Sequence, residues 1–186
     1  MESWMIWLII GVIVVLILLF IMSTYNVLVK LRNMVQDQWA QIEVSLKRRA
    51  DLIPNLVETV KGYAGHEKET LDAVISARNK AVSATTPHDE MVANGEITQA
   101  LGRLFALSEA YPDLKANTNF MQLQAELKET EDKISYARQF YNDAVLGYKN
   151  KLEMFPSNIV AGMFNFKPAE FFEADAADRE VPTVKF

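Results

Sequence analysis

The 186 residues carry 24 acidic and 19 basic side chains, a formal charge of −5, and this balance argues against nucleic acid as a partner. The length fits one modest domain. The chain has no cysteine, which excludes disulfides, zinc ribbons, thiol catalysis and a lipidated anchor cysteine.

The first predicted element is a membrane span. Trp4 to Met22 is a run of 19 residues without a charge, WMIWLIIGVIVVLILLFIM, and a bilayer core of about 30 Å needs roughly 20 apolar residues as helix. A secretory signal peptide is the alternative, but Met-Glu-Ser before the run has no basic residue, and no A-x-A pattern follows it. We therefore predict an uncleaved anchor over residues 1–23, with Trp4, Trp7 and Tyr25 as interfacial aromatic residues.

The charges that flank the span predict its orientation. No Lys or Arg precedes it, whereas Lys30 and Arg32 follow closely. Because basic residues concentrate on the cytoplasmic side of a span, we expect a single-pass protein of the bacterial inner membrane. Its N-terminus should lie outside and the rest of the chain in the cytoplasm.

A first helix is predicted to run from the membrane to about Arg49, because no Pro or Gly interrupts residues 23–50. Its apolar residues recur at the spacing of one helical stripe. They are Leu28, Leu31, Val35, Trp39, Ile42 and Leu46.

A second helix is predicted from about Asp51, as the N-cap, to Val82, with Pro54 in its first turn. Within it, His66 and Glu67 match the first half of the zinc motif H-E-x-x-H, but Thr70 stands where the second histidine belongs. The other histidine, His88, lies beyond a proline-containing loop. We therefore predict no metal, cofactor or catalytic residue.

Two further helices follow. One is expected within residues 90–110, and the longest should run from 119 to 155, capped by Thr118 or Asn119 after the loop YPDLKANTN. The longest helix carries a seam of nearly heptad spacing, typical of a coiled coil. The seam consists of Leu123, Leu127, Thr130, Ile134, Ala137, Tyr141, Ala144 and Tyr148. No alternating strand pattern occurs, so residues 24–156 are predicted to form an elongated all-α, antiparallel up-down bundle.

The C-terminal segment, residues 157–186, differs in composition. Five acids lie within residues 170–180. Four phenylalanines lie in the same segment, two before the acids and two among them. The phenylalanines are Phe164, Phe166, Phe171 and Phe172. Because this cluster is too apolar to remain in water, we expect it to dock either on its own bundle or on a neighbouring subunit.

The run YNVLVKLRNMVQDQWAQIEVSLKRRADLIPNLVETVKGYAGHEKETLDAVISAR and the ending FFEADAADREVPTVKF closely resemble the LemA family. The motif LKRRADLIPNLVETVKGYA, residues 46–64, is long and specific, and the resemblance covers almost the whole chain. It implies a membrane-anchored bacterial helical bundle without an established enzymatic activity. It also implies links to membrane proteases of the HtpX type and to envelope stress. Members of the family commonly have a shorter or different N-terminal flank. Membrane topology is therefore the property that the resemblance supports least.

Charged residues within the apolar faces are the candidate interaction residues. On a helical wheel of the predicted second helix, Glu67 and Arg78 fall inside the apolar stripe, about 16 Å apart along the axis. Each needs a partner elsewhere, because an unpaired charge is costly in an apolar setting. We expect a cationic partner for Glu67, with Arg138 as one candidate. The contacts lie either within the bundle or at a subunit interface.

The basic cluster Lys47, Arg48 and Arg49 lies at the predicted end of the first helix. One interpretation is a solvated turn beside a helix C-terminus. The other is an ion-pairing site for the acidic C-terminal segment.

The sequence therefore favours a non-enzymatic, membrane-anchored scaffold that forms a homo-oligomer through its bundle. An adaptor or regulator of a membrane quality-control protease is the alternative. No G-x-S-x-G motif or phosphate-binding loop supports a hydrolase.

Overall fold

The computed structural model of the chain describes residues 3–172, which form six α-helices and no strand. Their bounds are α1 Ser3–Ala64, α2 Lys68–Ser83, α3 Pro87–Ser108, α4 Pro112–Lys115, α5 Thr118–Glu153 and α6 Ser157–Met163. The predicted all-α fold, with a long apolar N-terminal helix and a helical bundle, is confirmed. Among the described residues, α1 is the one helix long and apolar enough to cross a membrane.

The largest difference from prediction is the length of α1. We expected a helix end near Arg49 and a new helix from Asp51, but α1 continues through Pro54 to Ala64. A proline inside a helix leaves the carbonyl four residues earlier without its donor, here the carbonyl of Ala50. The Nε of Arg78 donates to that carbonyl across 3.4 Å. Tertiary contact thus supplies a donor that the helix itself lacks.

The chain breaks at Gly65 instead. The prediction that one helix runs from about Asp51 to Val82, and so through Gly62 and Gly65, is wrong, because α1 ends at Ala64 and α2 begins at Lys68. Glu67 is the N-cap of α2, and its amide donates to the carbonyl of Ala64 at 3.1 Å. Gly62 lies within α1, where a single glycine costs only about 1 kcal/mol.

The caps of the later helices differ in detail from prediction. Thr86 caps α3 by accepting from the amide of Asp89 at 3.1 Å. Asn117, rather than Thr118 or Asn119, caps α5 by accepting from the amide of Phe120 at 3.0 Å. The loop between α3 and α5 contains the short helix α4, and α6 follows α5. Neither short helix was predicted.

The chain divides into two compact units, of which the first joins residues up to Trp39 with residues 140–171. There α1 and α5 run antiparallel. The rings of Trp39 and Tyr141 meet edge to face at 5.4 Å. Burial raises the pKa of Tyr148, and the positive charge of Arg32 partly opposes this shift. The buried apolar and aromatic side chains are Leu28, Val35, Trp39, Tyr141, Ala144, Val145, Tyr148, Val160 and Ala161.

The second unit joins residues 40–139 with Phe172. Its core is a cluster of side chains from α1 to α5, including Ile53, Leu56, Val60, Leu71, Val74, Ile97, Leu101, Leu104, Leu114, Phe120 and Leu127. Phe105 and Phe120 meet edge to face at 6.3 Å. This core packs α1, α2 and α3 against one another. The buried arginine described below belongs to the same unit.

Candidate functional site

A buried arginine links three helices of the second unit. Arg49, on α1, is only 4% exposed. Its Nη1 donates to Oδ1 of Asn94 at 2.7 Å and lies 2.8 Å from Oε2 of Glu131, and its Nη2 donates to Oγ1 of Thr98 at 3.1 Å. Asn94 and Thr98 lie on α3 and Glu131 on α5. The planar guanidinium can bind these three acceptors together because its donors form a rigid fork.

The continuity of α1 explains why Arg49 is buried. It lies seven residues after Ile42 and four before Ile53, so all three share one helical face. The interpretation of residues 47–49 as a solvated turn is therefore wrong for Arg49. Lys47 and Arg48 remain exposed on the same helix. The alternative, pairing with the acidic C-terminal segment, concerns residues of which all but Glu170 lie outside the described range.

The two exposed members of the basic cluster make surface contacts. The Nζ of Lys47 lies 3.3 Å from Oδ2 of Asp51, one helical turn away. Lys133, by hydrogen bond and charge, lowers the pKa of Glu129, and the positive charge of Arg48 adds to this effect. Exposed pairs of this kind contribute little to stability.

A groove of about 390 Å³ opens beside Arg49 between α1, α2 and α3. Its polar lining residues are Glu43, Lys47, Asp51, Arg78, Glu90 and Asn94. Burial raises the pKa of Glu90, and the negative charge of Glu43 raises it further. The groove thus combines the carboxylates of Glu43, Asp51 and Glu90 with the cations of Lys47 and Arg78, so its polar lining is strongly charged.

The structure gives Glu67 a different partner from the one expected. Its Oε1 accepts a hydrogen bond from the hydroxyl of Tyr111 at 2.9 Å. Arg138 instead places its guanidinium carbon 4.4 Å from the ring centre of Phe172. Within residues 3–172 no cation contacts Glu67, because this residue caps α2 beside the loop that carries Tyr111 and does not lie in mid-helix.

Arg78, the other charge of the predicted stripe, is half-buried. Its Nε donates to the carbonyl of Ala50, and its Nη1 donates to Oδ1 of Asn79 at 3.3 Å. Its role within the described chain is to support α1 where Pro54 interrupts the backbone hydrogen bonds.

In the first unit, the aromatic residues that follow α6 pack on α1. The rings of Phe164 and Phe166 lie 4.8 and 5.6 Å from that of Tyr25, and Arg32 lies 5.5 Å from the centre of Phe166. The hydroxyl of Tyr141 donates to the carbonyl of Glu170 at 2.8 Å. These contacts lie within one chain.

The remaining two phenylalanines differ in exposure. Phe171 is 37% exposed, with the Nζ of Lys149 5.7 Å from its ring centre. Phe172, in the second unit, is only 4% exposed and lies under Arg138.

Comparison with known proteins places the chain in a family. The profile of the LemA family matches residues 38–186, more than half of the sequence. The chain belongs to the LemA family. It is similar to Protein LemA of Metamycoplasma hominis, with 28% identity over 83% of this chain and 71% of that protein.

Other relatives carry a different name. The chain is 26% identical to Magnetosome protein MamQ 2 of Paramagnetospirillum magneticum, over 88% of this chain and 70% of the relative. It is 24% identical to Magnetosome protein MamQ of Magnetospirillum gryphiswaldense, over the same shares. None of these names states a catalytic activity.

Sequence reasoning missed several residues that complete the charged contacts of this LemA-family chain. Asn94, Thr98, Glu131 and Tyr111 are not among the residues predicted from the sequence. Asn94 is 3% exposed and lies one turn before Thr98. The available signal was a polar pair beside Ile97 and Leu101 on the apolar face of α3.

Replacing Glu67 with glutamine is expected to lower the pKa of Tyr111. The hydrogen bond to Glu67 is the main cause that raises this pKa, burial and the carboxylate charge add to it, and glutamine removes the charge. NMR titration of tyrosines labelled at Cζ, assigned with Tyr111→Phe, measures the change. Tyr141 is the control, because burial and Glu170 raise its pKa. An unchanged pKa of Tyr111 in the variant would contradict the hydrogen bond between its hydroxyl and Glu67.

Proposed function

We propose that this LemA-family protein is a non-enzymatic scaffold of the bacterial inner membrane that self-assembles through its helical bundle. The observation that supports this most is the continuity of α1. No residue of the apolar segment Trp4–Met22 is buried, and the same helix enters the packed part of the first unit at Thr24 and Leu28. Without a flexible linker, insertion of the segment would hold the first unit at the membrane surface.

Anchoring favours lateral assembly. Copies held in one plane with one orientation have a raised effective concentration, so weak contacts suffice to join them. Outside the apolar segment each unit still exposes large apolar side chains. Phe140 of the first unit is 61% exposed, and Tyr136 of the second is 67% exposed. Exposed residues of this kind are candidates for contacts between copies.

No relative's name gives a reaction, so none of the names argues against a non-enzymatic scaffold. Three of the relatives are named as magnetosome proteins, a name that refers to a cellular structure. The alternative, an adaptor for a membrane quality-control protease of the HtpX type, comes from the family resemblance. A protease partner would bind the same exposed side chains. The two functions therefore predict different compositions of the purified complex, with copies of this chain alone for a scaffold and a second protein for an adaptor.

Assembly is tested on the full-length protein in mild detergent and in lipid nanodiscs, by native mass spectrometry. We expect a uniform homo-oligomer larger than a dimer. Phe140→Lys should reduce the subunit number, whereas the matched control Gln139→Lys, at an exposed neighbour on α5, should not. A monomer under both conditions would refute self-assembly, and a second protein in constant ratio would support the adaptor.

We also propose that the N-terminus lies outside the cytoplasm, because Lys30 and Arg32 follow the apolar segment and no basic residue precedes it. A cysteine introduced at Ser3 should react with an impermeant maleimide in intact cells, and one at Val44 should react only after lysis. Val44 suits this purpose because it is 69% exposed. The reverse labelling pattern would overturn the proposed orientation.

A further inference from the structure

Besides the apolar segment Trp4–Met22, the first unit has another exposed apolar surface, which lies near the end of α5 and on α6. The residues of this 154–164 patch are Met154, Phe155, Ile159, Met163 and Phe164, which are 61%, 79%, 55%, 64% and 49% exposed. The opposite side of α6 is packed, since Val160 and Ala161 are buried. Helix α6 is therefore held in place while its other apolar side faces outward, an arrangement that indicates a binding surface.

The register of α1 and α5 gives the height of this patch along α1. The two helices are antiparallel in this unit, and Trp39 lies beside Tyr141. Moving 14 residues back from Trp39 reaches Tyr25, and moving 14 residues on from Tyr141 reaches Phe155. Both helices rise by about 1.5 Å per residue, so the end of α5 lies at about the level of Tyr25.

A direct contact gives the same height independently. The ring of Phe164 lies 4.8 Å from the ring of Tyr25. Tyr25 is three residues beyond Met22, the last residue of the apolar segment, a distance of about 4.5 Å along the helix. The headgroup layer beside the bilayer core is roughly 5–7 Å thick, so Tyr25 and Phe164 fall within it when the segment is inserted.

We propose that the 154–164 patch inserts into the headgroup layer and makes a second attachment of the protein to the lipid surface. Aromatic and aliphatic side chains at this depth bury their apolar parts against the acyl boundary. In the sequence, Lys151 precedes the patch and Lys167 follows it, and Lys30 lies five residues after Tyr25. At this height the three lysines would face anionic headgroups. The inference rests on the membrane insertion of residues 4–22 that the proposed function includes.

The absence of native cysteine allows a site-by-site test. Nitroxide labels are attached to Phe155→Cys, Ile159→Cys and Met163→Cys in the full-length protein. The protein is reconstituted with an excess of unlabelled copies in vesicles of phosphatidylcholine and phosphatidylglycerol. Collision rates with oxygen, which concentrates in the bilayer, and with a water-soluble nickel chelate are measured. Circular dichroism of each variant confirms that it is folded.

We expect the oxygen-to-nickel collision ratio at the three patch positions to be several-fold higher than at Leu146→Cys. Leu146 is the matched control, an apolar residue of α5 that is 49% exposed and lies about 13 Å before Phe155 by helical rise. A label at Leu16→Cys reports insertion of the anchor separately. An inserted anchor with water-accessible patch labels would overturn the second attachment alone. A water-accessible label at Leu16→Cys would overturn the anchor itself.

The rival occupant of the patch is a second copy of the chain. Labels at a contact between copies would show spin–spin broadening in the fully labelled sample that disappears when unlabelled protein is added. Their oxygen-to-nickel ratio would also stay close to that of Leu146→Cys. That combination would overturn the lipid contact.

Discussion

Replacing Arg49 with methionine is expected to lower the free energy of unfolding by about 2–3 kcal/mol. Methionine keeps much of the apolar volume of the arginine stem but leaves the buried Oδ1 of Asn94 without its 2.7 Å donor. A buried polar group without a hydrogen bond costs about 1–3 kcal/mol, and a lost hydrogen bond to a charged group costs a similar amount. The loss is smaller than for a fully buried ion pair, because 38% of the Glu131 side chain is exposed, although its Oε2, which faces Arg49, is buried.

Arg48→Met is the matched control, since it makes the same chemical change at the adjacent, exposed position of α1. Its cost should stay below about 0.5 kcal/mol. Urea denaturation of the full-length variants in mild detergent, monitored by circular dichroism, gives both values. Equal stabilities of the two variants would show that the contacts of Arg49 do not stabilise the fold.

Replacing Phe172 with alanine is expected to destabilise the second unit by about 3 kcal/mol. Its ring is 4% exposed and lies beneath the guanidinium of Arg138, at 4.4 Å. Truncating a buried phenylalanine costs about 3–5 kcal/mol, because the transfer free energy is lost and a cavity remains. The cation–π contact with Arg138 adds to the loss.

The adjacent residue provides the control for this prediction. Phe171 is 37% exposed, so Phe171→Ala should cost about 1 kcal/mol, mainly from the partial burial of its ring. The same urea titrations measure both variants, and native mass spectrometry reports their subunit number. If Phe172→Ala changed the subunit number but left the unfolding midpoint unaltered, its ring would stabilise an interface and not the unit that contains it.

The elements that depend on local pattern were predicted well. The apolar run Trp4–Met22 lies within α1, and most of the predicted stripe of the first helix is buried, including Leu28, Val35, Trp39 and Ile42. The seam of α5 is buried at Leu127, Thr130, Ile134, Tyr141, Ala144 and Tyr148. Such stripes can be read from sequence because helical periodicity sets which side chains share a face.

The boundary between the first two helices could not be predicted in the same way. Asp51 and Pro54 together form an acceptable helix start, and the local signals favour a break there. The donor that Arg78 supplies to Ala50 comes from 28 residues further along the chain. No local pattern contains that contact. Glu67 was misassigned for a separate reason, because the break after Ala64 interrupts the helical wheel on which it was placed in the apolar stripe.

By itself, the sequence determined the membrane-spanning potential of α1, the all-α class, the buried faces of the long helices and membership of the LemA family. Each depends on composition, periodicity or a contiguous motif. The tertiary structure alone decided which charges are buried and what they contact. Arg48 and Arg49 are chemically identical neighbours, as are Phe171 and Phe172. Their opposite exposures arise from the packing of distant segments around them, and so does the pairing of Glu67 with the hydroxyl of Tyr111.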